Sequence, residues 1–283
     1  MFTGDVMFLE IMGSPFIVNA LIGIIIASFV SAAIGHILTS RGITFLSAEV
    51  AHAALGGAAF GVLLQTLGII WFEPLYGAFL FGVVSALITA YAGLRGSREQ
   101  MEAAIGVSLA MSMALAVVFL GYIRSEDMPK VWGYLVGDIL LLTVDDLLFL
   151  GSLAILVGFF YILFRRELLY IAFDIESAEA LGIKVKFYHY LSILLAAIGV
   201  IVTTKALGAI LVYAFIIAPA AAANEIAKKT SQIPLITLAI ALFSGIIGLT
   251  LTFTVNIPAS GTIGILASIA YLMAITYSRL RRK

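Results

Sequence analysis

The stretch Pro234-Leu-Ile-Thr-Leu-Ala-Ile-Ala-Leu-Phe-Ser-Gly-Ile-Ile-Gly-Leu-Thr-Leu-Thr-Phe-Thr-Val255 runs without one charged side chain. As an α-helix it would rise about 33 Å, and about 20 mostly apolar residues suffice to cross the hydrocarbon of a bilayer. It therefore reads as a membrane span. Comparable runs cover residues 14–38, 45–70, 75–94, 101–123, 146–164, 187–204, 206–223 and 262–277. Ser14-Pro15 opens the first of them as an N-cap followed by proline at the first helical position. The whole chain shows the same bias: 63% of its residues are hydrophobic and 11% charged, against roughly a quarter charged in soluble domains. The expected architecture is all-α: a single polytopic membrane domain over residues 1–283, with about nine spans.

Charge placement orients the bundle. Placing the N-terminus outside puts Arg41, Arg95, Arg98, Arg165, Arg166, Lys184, Lys186, Lys228, Lys229, Arg279, Arg281, Arg282 and Lys283 on the cytoplasmic side. Only Arg124, Lys130 and Lys205 fall opposite, a bias that follows the positive-inside rule. The first basic residue is Arg41, so no cleavable signal is expected ahead of the first span. There is no cysteine, which removes disulfide and thiolate-metal chemistry. Neither a GxxxxGK[ST] loop nor an HExxH or GxSxG motif occurs, so ATP binding and hydrolytic catalysis are not expected of this polypeptide.

Two segments depart from a plain bundle. Residues 132–143 are apolar but too short to span and end at Asp145-Asp146; a re-entrant or tilted half-helix is expected. Residues 167–186 carry Leu168, Ile171, Ala172, Ile175, Ala178 and Leu181 at helical spacing among acidic residues, which predicts a cytoplasmic surface helix with one apolar stripe.

Ionisable groups inside spans are expensive and hence functional candidates. Glu49 and His52, three apart, share a helix face and could both point at one ion; imidazole with carboxylate suits zinc, manganese or iron(II). The competing reading is a carboxylate in the interface and a histidine bonded to a neighbouring helix. Asp138, beside Gly137, could line a pathway mouth or cap the half-helix. Pro219 breaks its span, which either frees backbone carbonyls for ions or simply makes a kink. His36 and His189 are expected to be structural, the latter in an interfacial aromatic belt, while Glu225, Lys228 and Lys229 are expected as solvated charges. Gly57 and Gly61 suit close helix packing.

Four elements in order resemble the permeases of the manganese/zinc/iron class of ABC importers, the ABC-3 family. Ala51-His-Ala-Ala-Leu-Gly-Gly57 resembles "SHAxLxG", and Leu135-Val-Gly-Asp-Ile-Leu140 resembles "LFGDIL". Phe173-Asp-Ile-Glu-Ser-Ala-Glu-Ala-Leu-Gly-Ile183 is similar to "FDPExAxxLGI", and Leu207-Gly-Ala-Ile-Leu-Val-Tyr-Ala-Phe-Ile-Ile-Ala-Pro-Ala-Ala-Ala222 to "VGxLLVxALLxxPAAxA". The resemblance implies an importer permease of a prokaryotic plasma membrane. It implies as partners a second copy of the chain, a cytoplasmic ABC ATPase dimer, an extracellular metal-binding protein and the lipid bilayer, and no nucleic acid. The transported manganese, zinc or iron would be substrate, with no permanently bound cofactor. It also implies that Phe173, Asp174, Ile175, Glu179, Ala180, Leu181 and Gly182 form the helix that couples to the ATPase. The chain departs from the pattern in one place: the family's aspartate four residues before the histidine is replaced by Ala48, and Glu49 stands three before. An ion-gradient-driven metal transporter is the alternative, although the paired broken helices of that class are not evident.

Overall fold

The computed structural model describes residues 14–94, 98–137, 139–255 and 257–281, and of Arg98 the backbone only. Among these, nine helices are long and apolar enough to cross a membrane. They are α1 (Pro15–Arg41), α2 (Leu46–Thr66), α3 (Pro74–Gly93), α4 (Arg98–Leu120), α6 (Val144–Phe173), α8 (Val185–Leu207), α9 (Ala209–Ile226), α10 (Ile233–Val255) and α11 (Ala259–Arg281). Two short helices, α5 (Met128–Val136) and α7 (Ile175–Ala180), cannot span. Arg41, Arg165, Lys184 and Lys228 all lie at one end of the helices, the basic end.

The bundle is layered by burial. Within their most apolar stretches α2 and α8 bury 78% of residues, whereas α4 buries 22%, so α2 and α8 form the interior and α4 the rim. Close packing comes from small residues, because lipid tails are as apolar as leucine and contact area has to come from backbone approach. At the tightest point a Cβ on Gly57 of α2 would lie 2.0 Å from the Gly77 carbonyl oxygen of α3, and the reverse holds for Gly77. The expected packing glycine thus serves a contact inside the subunit.

Pro219 sits inside α9, and its missing N–H frees the carbonyl of Phe215, four residues earlier. The Ser31 hydroxyl of α1 donates to that oxygen at 3.0 Å, so the freed acceptor is satisfied by a neighbouring helix. Ser31→Ala is therefore expected to cost about 1 kcal/mol, since a buried carbonyl would be left without its donor. Reversible unfolding of the micelle-bound protein measures this; an unchanged midpoint would mean that the carbonyl has another partner.

Four boundaries differ from the sequence expectation. α1 runs to Arg41 instead of residue 38. The break between α8 and α9 lies at Gly208, so Lys205, expected between two spans, and Ala206, expected to open the next, both belong to α8. Residues 132–143 are not one half-helix: α5 begins at Met128 and stops before Gly137, and a single 3-10 turn, Ile139–Leu141, follows. Tertiary contact sets both breaks. Gly137 and Gly208 have φ of 78° and 84°, and a Cβ on Gly137 would fall 2.1 Å from the Leu207 carbonyl carbon. Only glycine permits that backbone and that approach together.

The fourth difference is at the basic end. α6 is capped by a reciprocal Thr143–Asp146 box, passes Phe164 with one non-helical residue (φ −111°, ψ 15°), and continues to Phe173. Residues 167–173, expected in a separate surface helix, thus extend a span, and the free-standing piece shrinks to α7.

Candidate functional site

α2 carries both polar candidates, Glu49 in its first turn and His52 one turn further. Glu49 is fully buried. Its Oε1 accepts hydrogen bonds from Ser85 Oγ at 2.6 Å and Thr89 Oγ1 at 2.9 Å, two hydroxyls four apart on α3. Ser85 Oγ also lies 3.0 Å from Ser108 Oγ on α4. The carboxylate is thereby held by a hydroxyl cluster from two helices, α3 and α4, and sits at the end of α2 whose dipole favours negative charge. Its other oxygen, Oε2, has no hydrogen-bond partner among the described residues. Sequence reading missed Ser85, Thr89 and Ser108; their only sequence signal is the four-residue spacing of Ser85 and Thr89 inside an apolar span.

His52 is half-buried, and its Nδ1 lies 2.8 Å from the carbonyl oxygen of Ala48. A carbonyl only accepts, so Nδ1 carries the proton and the lone pair of Nε2 stays available for a ligand. This is how metal-binding imidazoles are commonly oriented, with a backbone carbonyl holding the opposite nitrogen. The residue that replaces the family aspartate, Ala48, contributes its backbone. Among the described residues no three His, Asp or Glu side chains gather around one point, so an ion here would need donors from water, a carrier or a second copy. Asp138, the third expected ligand, lies outside the described residues.

The other histidines are structural, and one corrects its expected place. His36 is buried, with Nδ1 2.7 Å from the Tyr161 hydroxyl of α6. His189 does not stand in a lipid-facing aromatic belt. It is buried between three spans, with Nε2–H donating to the Ala90 carbonyl at 2.9 Å and Nδ1 accepting from Arg41 at 2.8 Å. Arg41 also donates to Ser192. Aromatic neighbours in sequence suggested an interface; helix packing chose the interior.

At the basic end, Asp174 caps α7. It accepts from the backbone N–H of Ser177 at 3.0 Å and from the Ser177 hydroxyl, and these bonds hold its carboxyl below the usual aspartate range. Gly182, with φ 77°, closes the turn after the helix. The expected apolar stripe divides in two. Leu168, Ile171 and Ala178 are buried against the chain itself, while Ile175 and Leu181 are 49% and 65% exposed, as is the neighbouring Phe173 at 67%. Glu179 and Ala180 are exposed beside them. The capped helix and the residues on either side of it thus present three large apolar side chains beyond the double arginine, Arg165-Arg166.

Known proteins resemble this chain over nearly its whole length. The ABC 3 transport family matches residues 13–278. The manganese import system permease protein ScaB of Streptococcus gordonii is 30% identical over 260 residues, covering 92% of this chain and 90% of the relative. The manganese transport system membrane protein MntC of Listeria monocytogenes is 29% identical, covering 96% of this chain and 94% of the relative. Among solved structures, PsaBC from Streptococcus pneumoniae in complex with Fab superposes with a TM-score of 0.81 at 25% identity, over 99% of this chain and 100% of the other. The chain belongs to the ABC 3 transport family, and it is a multi-span permease of the ABC metal-importer class that its four motifs resemble.

Proposed function

We propose that this permease imports manganese, with zinc and iron(II) as the competing ions, through a path whose ligand-bearing wall is α2. Relatives named for manganese import support the choice of ion. The path runs past His52 and Glu49, with Asp138 at its outer mouth. The N-terminus is outside and the basic end faces the cytoplasm, as the distribution of lysine and arginine supports. The working unit is two copies of this chain, two ATPase subunits at the basic end and an external protein that delivers the ion.

The observation that carries this reading is the exposed trio on and beside α7: Phe173 at the very end of α6, Ile175 in α7 and Leu181 at its C-cap, the last two outside the nine spans. An apolar patch beyond the lipid-facing surface marks a protein contact. A permease with no phosphate-binding loop of its own needs such a contact to be driven by ATP. Residues 173–182 therefore seat on the ATPase, with the Asp174 cap keeping α7 formed before contact.

Uptake of radioactive manganese into vesicles holding the permease, with and without its ATPase, tests the assignment. ATP-dependent accumulation that vanishes without the ATPase is the expected result. Accumulation driven by a proton or sodium gradient in the absence of the ATPase would overturn it in favour of a secondary transporter.

A further inference from the structure

At the basic end a notch of about 390 Å3 opens between the last turn of α1, the end of α6 and the connection from α9 to α10. Its charged lining consists of Lys228 and Lys229, both exposed and neither in an ion pair among the described residues. Ser40, Asn224 and Thr230 also line it, and none of their side chains has a hydrogen-bond partner among the described residues. The backbone N–H groups of Lys228 and Lys229 are satisfied by Gln232 Oε1, at 3.0 and 3.3 Å, so the connection is held in shape while its side-chain donors stay free. Two acidic residues are near in sequence. Asp174, next to the lining residue Phe173, directs its carboxylate to Ser177, and Glu225 is not part of the lining.

Two cations and three unpartnered polar side chains converging on one notch make a site for a singly or doubly charged oxyanion. The flanking surface decides the source. α10 starts at the notch with Ile233 in its wall, and its outward side chains Leu235, Phe243, Ile246 and Ile247 stay exposed at helical spacing along the span. A headgroup held in the notch would have its acyl chains lying on that strip, whereas a soluble anion would make no use of it. The notch has the dimensions of a small-ligand site and not of a flat protein contact.

We propose that Lys228, Lys229, Ser40, Asn224 and Thr230 bind the phosphodiester headgroup of an anionic phospholipid, with its chains along α10. The lysines expected from sequence to be merely solvated charges thereby acquire a ligand. The inference rests on the orientation proposed above only for which leaflet supplies the lipid. Because Phe173 forms part of the same wall, the bound lipid would border the ATPase seat.

Native mass spectrometry of the full chain in neutral detergent, titrated with phosphatidylglycerol and separately with phosphatidylcholine, tests the site. The wild type should take up one tightly held phosphatidylglycerol per protomer in preference to phosphatidylcholine. Each lysine contributes about fivefold in affinity, so K228Q/K229Q should weaken that first binding event about thirtyfold and the single variants about fivefold. Both lysines are exposed, so the variants keep the fold, which the unfolding midpoint verifies. Equal binding of the two lipids, or unchanged phosphatidylglycerol binding by the double variant, would overturn the proposal. So would inorganic phosphate displacing the lipid at equal concentration, which would make the notch a soluble-anion site. Unaltered lipid binding together with loss of the co-purifying ATPase would assign the lysines to the protein contact instead. None of these results bears on ATP-driven uptake, which the vesicle assay decides separately.

Discussion

His52→Ala is expected to reduce metal uptake to background while the permease folds and retains its ATPase. The side chain is half-buried and, among the described residues, its one hydrogen bond is to its own helix, so removing it unbinds no described neighbouring span. What it removes is the Nε2 lone pair, fixed in direction by the Nδ1–H bond to Ala48. Losing even an outer-shell partner of a metal ligand typically costs 10- to 100-fold, and losing the ligand itself costs at least that, so a drop of about 100-fold is expected. Glu49→Gln is the informative companion. Glutamine keeps an Oε1 that accepts from Ser85 and Thr89, so the hydroxyl cluster survives while the charge goes. The ranking among manganese, zinc and iron(II) should then change more than the yield of assembled complex. Radiometal uptake in vesicles, with complex yield as control, is the measurement; normal uptake by His52→Ala would rule out the ligand role. An incomplete protein coordination shell is what a pathway requires, because an ion must bind well enough to enter and weakly enough to leave.

The second large effect is expected at the other end of the machine. Leu181 is 65% exposed and Ile175 49%, so aspartate at either position should cost the isolated permease little. In the assembled transporter the same substitution buries an unpaired carboxylate in an apolar contact, which costs several kcal/mol. A penalty of about 3 kcal/mol corresponds to roughly a 100-fold loss of affinity for the ATPase. Transport should collapse with it, while metal binding by the permease survives. Co-purification of the ATPase with Leu181→Asp at full yield, together with full metal-stimulated ATP turnover, would show that residues 173–182 do not form the seat. Ala178 offers no such test: it is wholly buried under α7, and a charge there would break the segment itself.

Much of this was legible along the chain. Runs of apolar residues long enough to cross a bilayer depend only on composition and length, so the nine spans and their order follow from sequence. So do the basic end, the candidate pair on α2 and the apolar stripe of residues 167–186, which rest on local residue patterns, whereas a coupling role for that segment comes from the family resemblance. Tertiary structure decided which face of each span meets which neighbour. The physical reason is that lipid is as apolar as a protein interior, so a buried face and a lipid-facing face carry the same residues and periodicity cannot tell them apart. Glu49 therefore gave no hint of Ser85 and Thr89, which lie 36 and 40 residues away on α3. Nor did His189 announce its position between Arg41 and the Ala90 carbonyl. The breaks at Gly137 and Gly208 were misplaced for the same reason: two turns pressed back to back set them, a contact between residues 71 positions apart that local preference cannot express. The apolar stripe of residues 168–181 was visible as a stripe, but only packing separated the half that holds the chain together, Leu168, Ile171 and Ala178, from the half left exposed, Ile175 and Leu181.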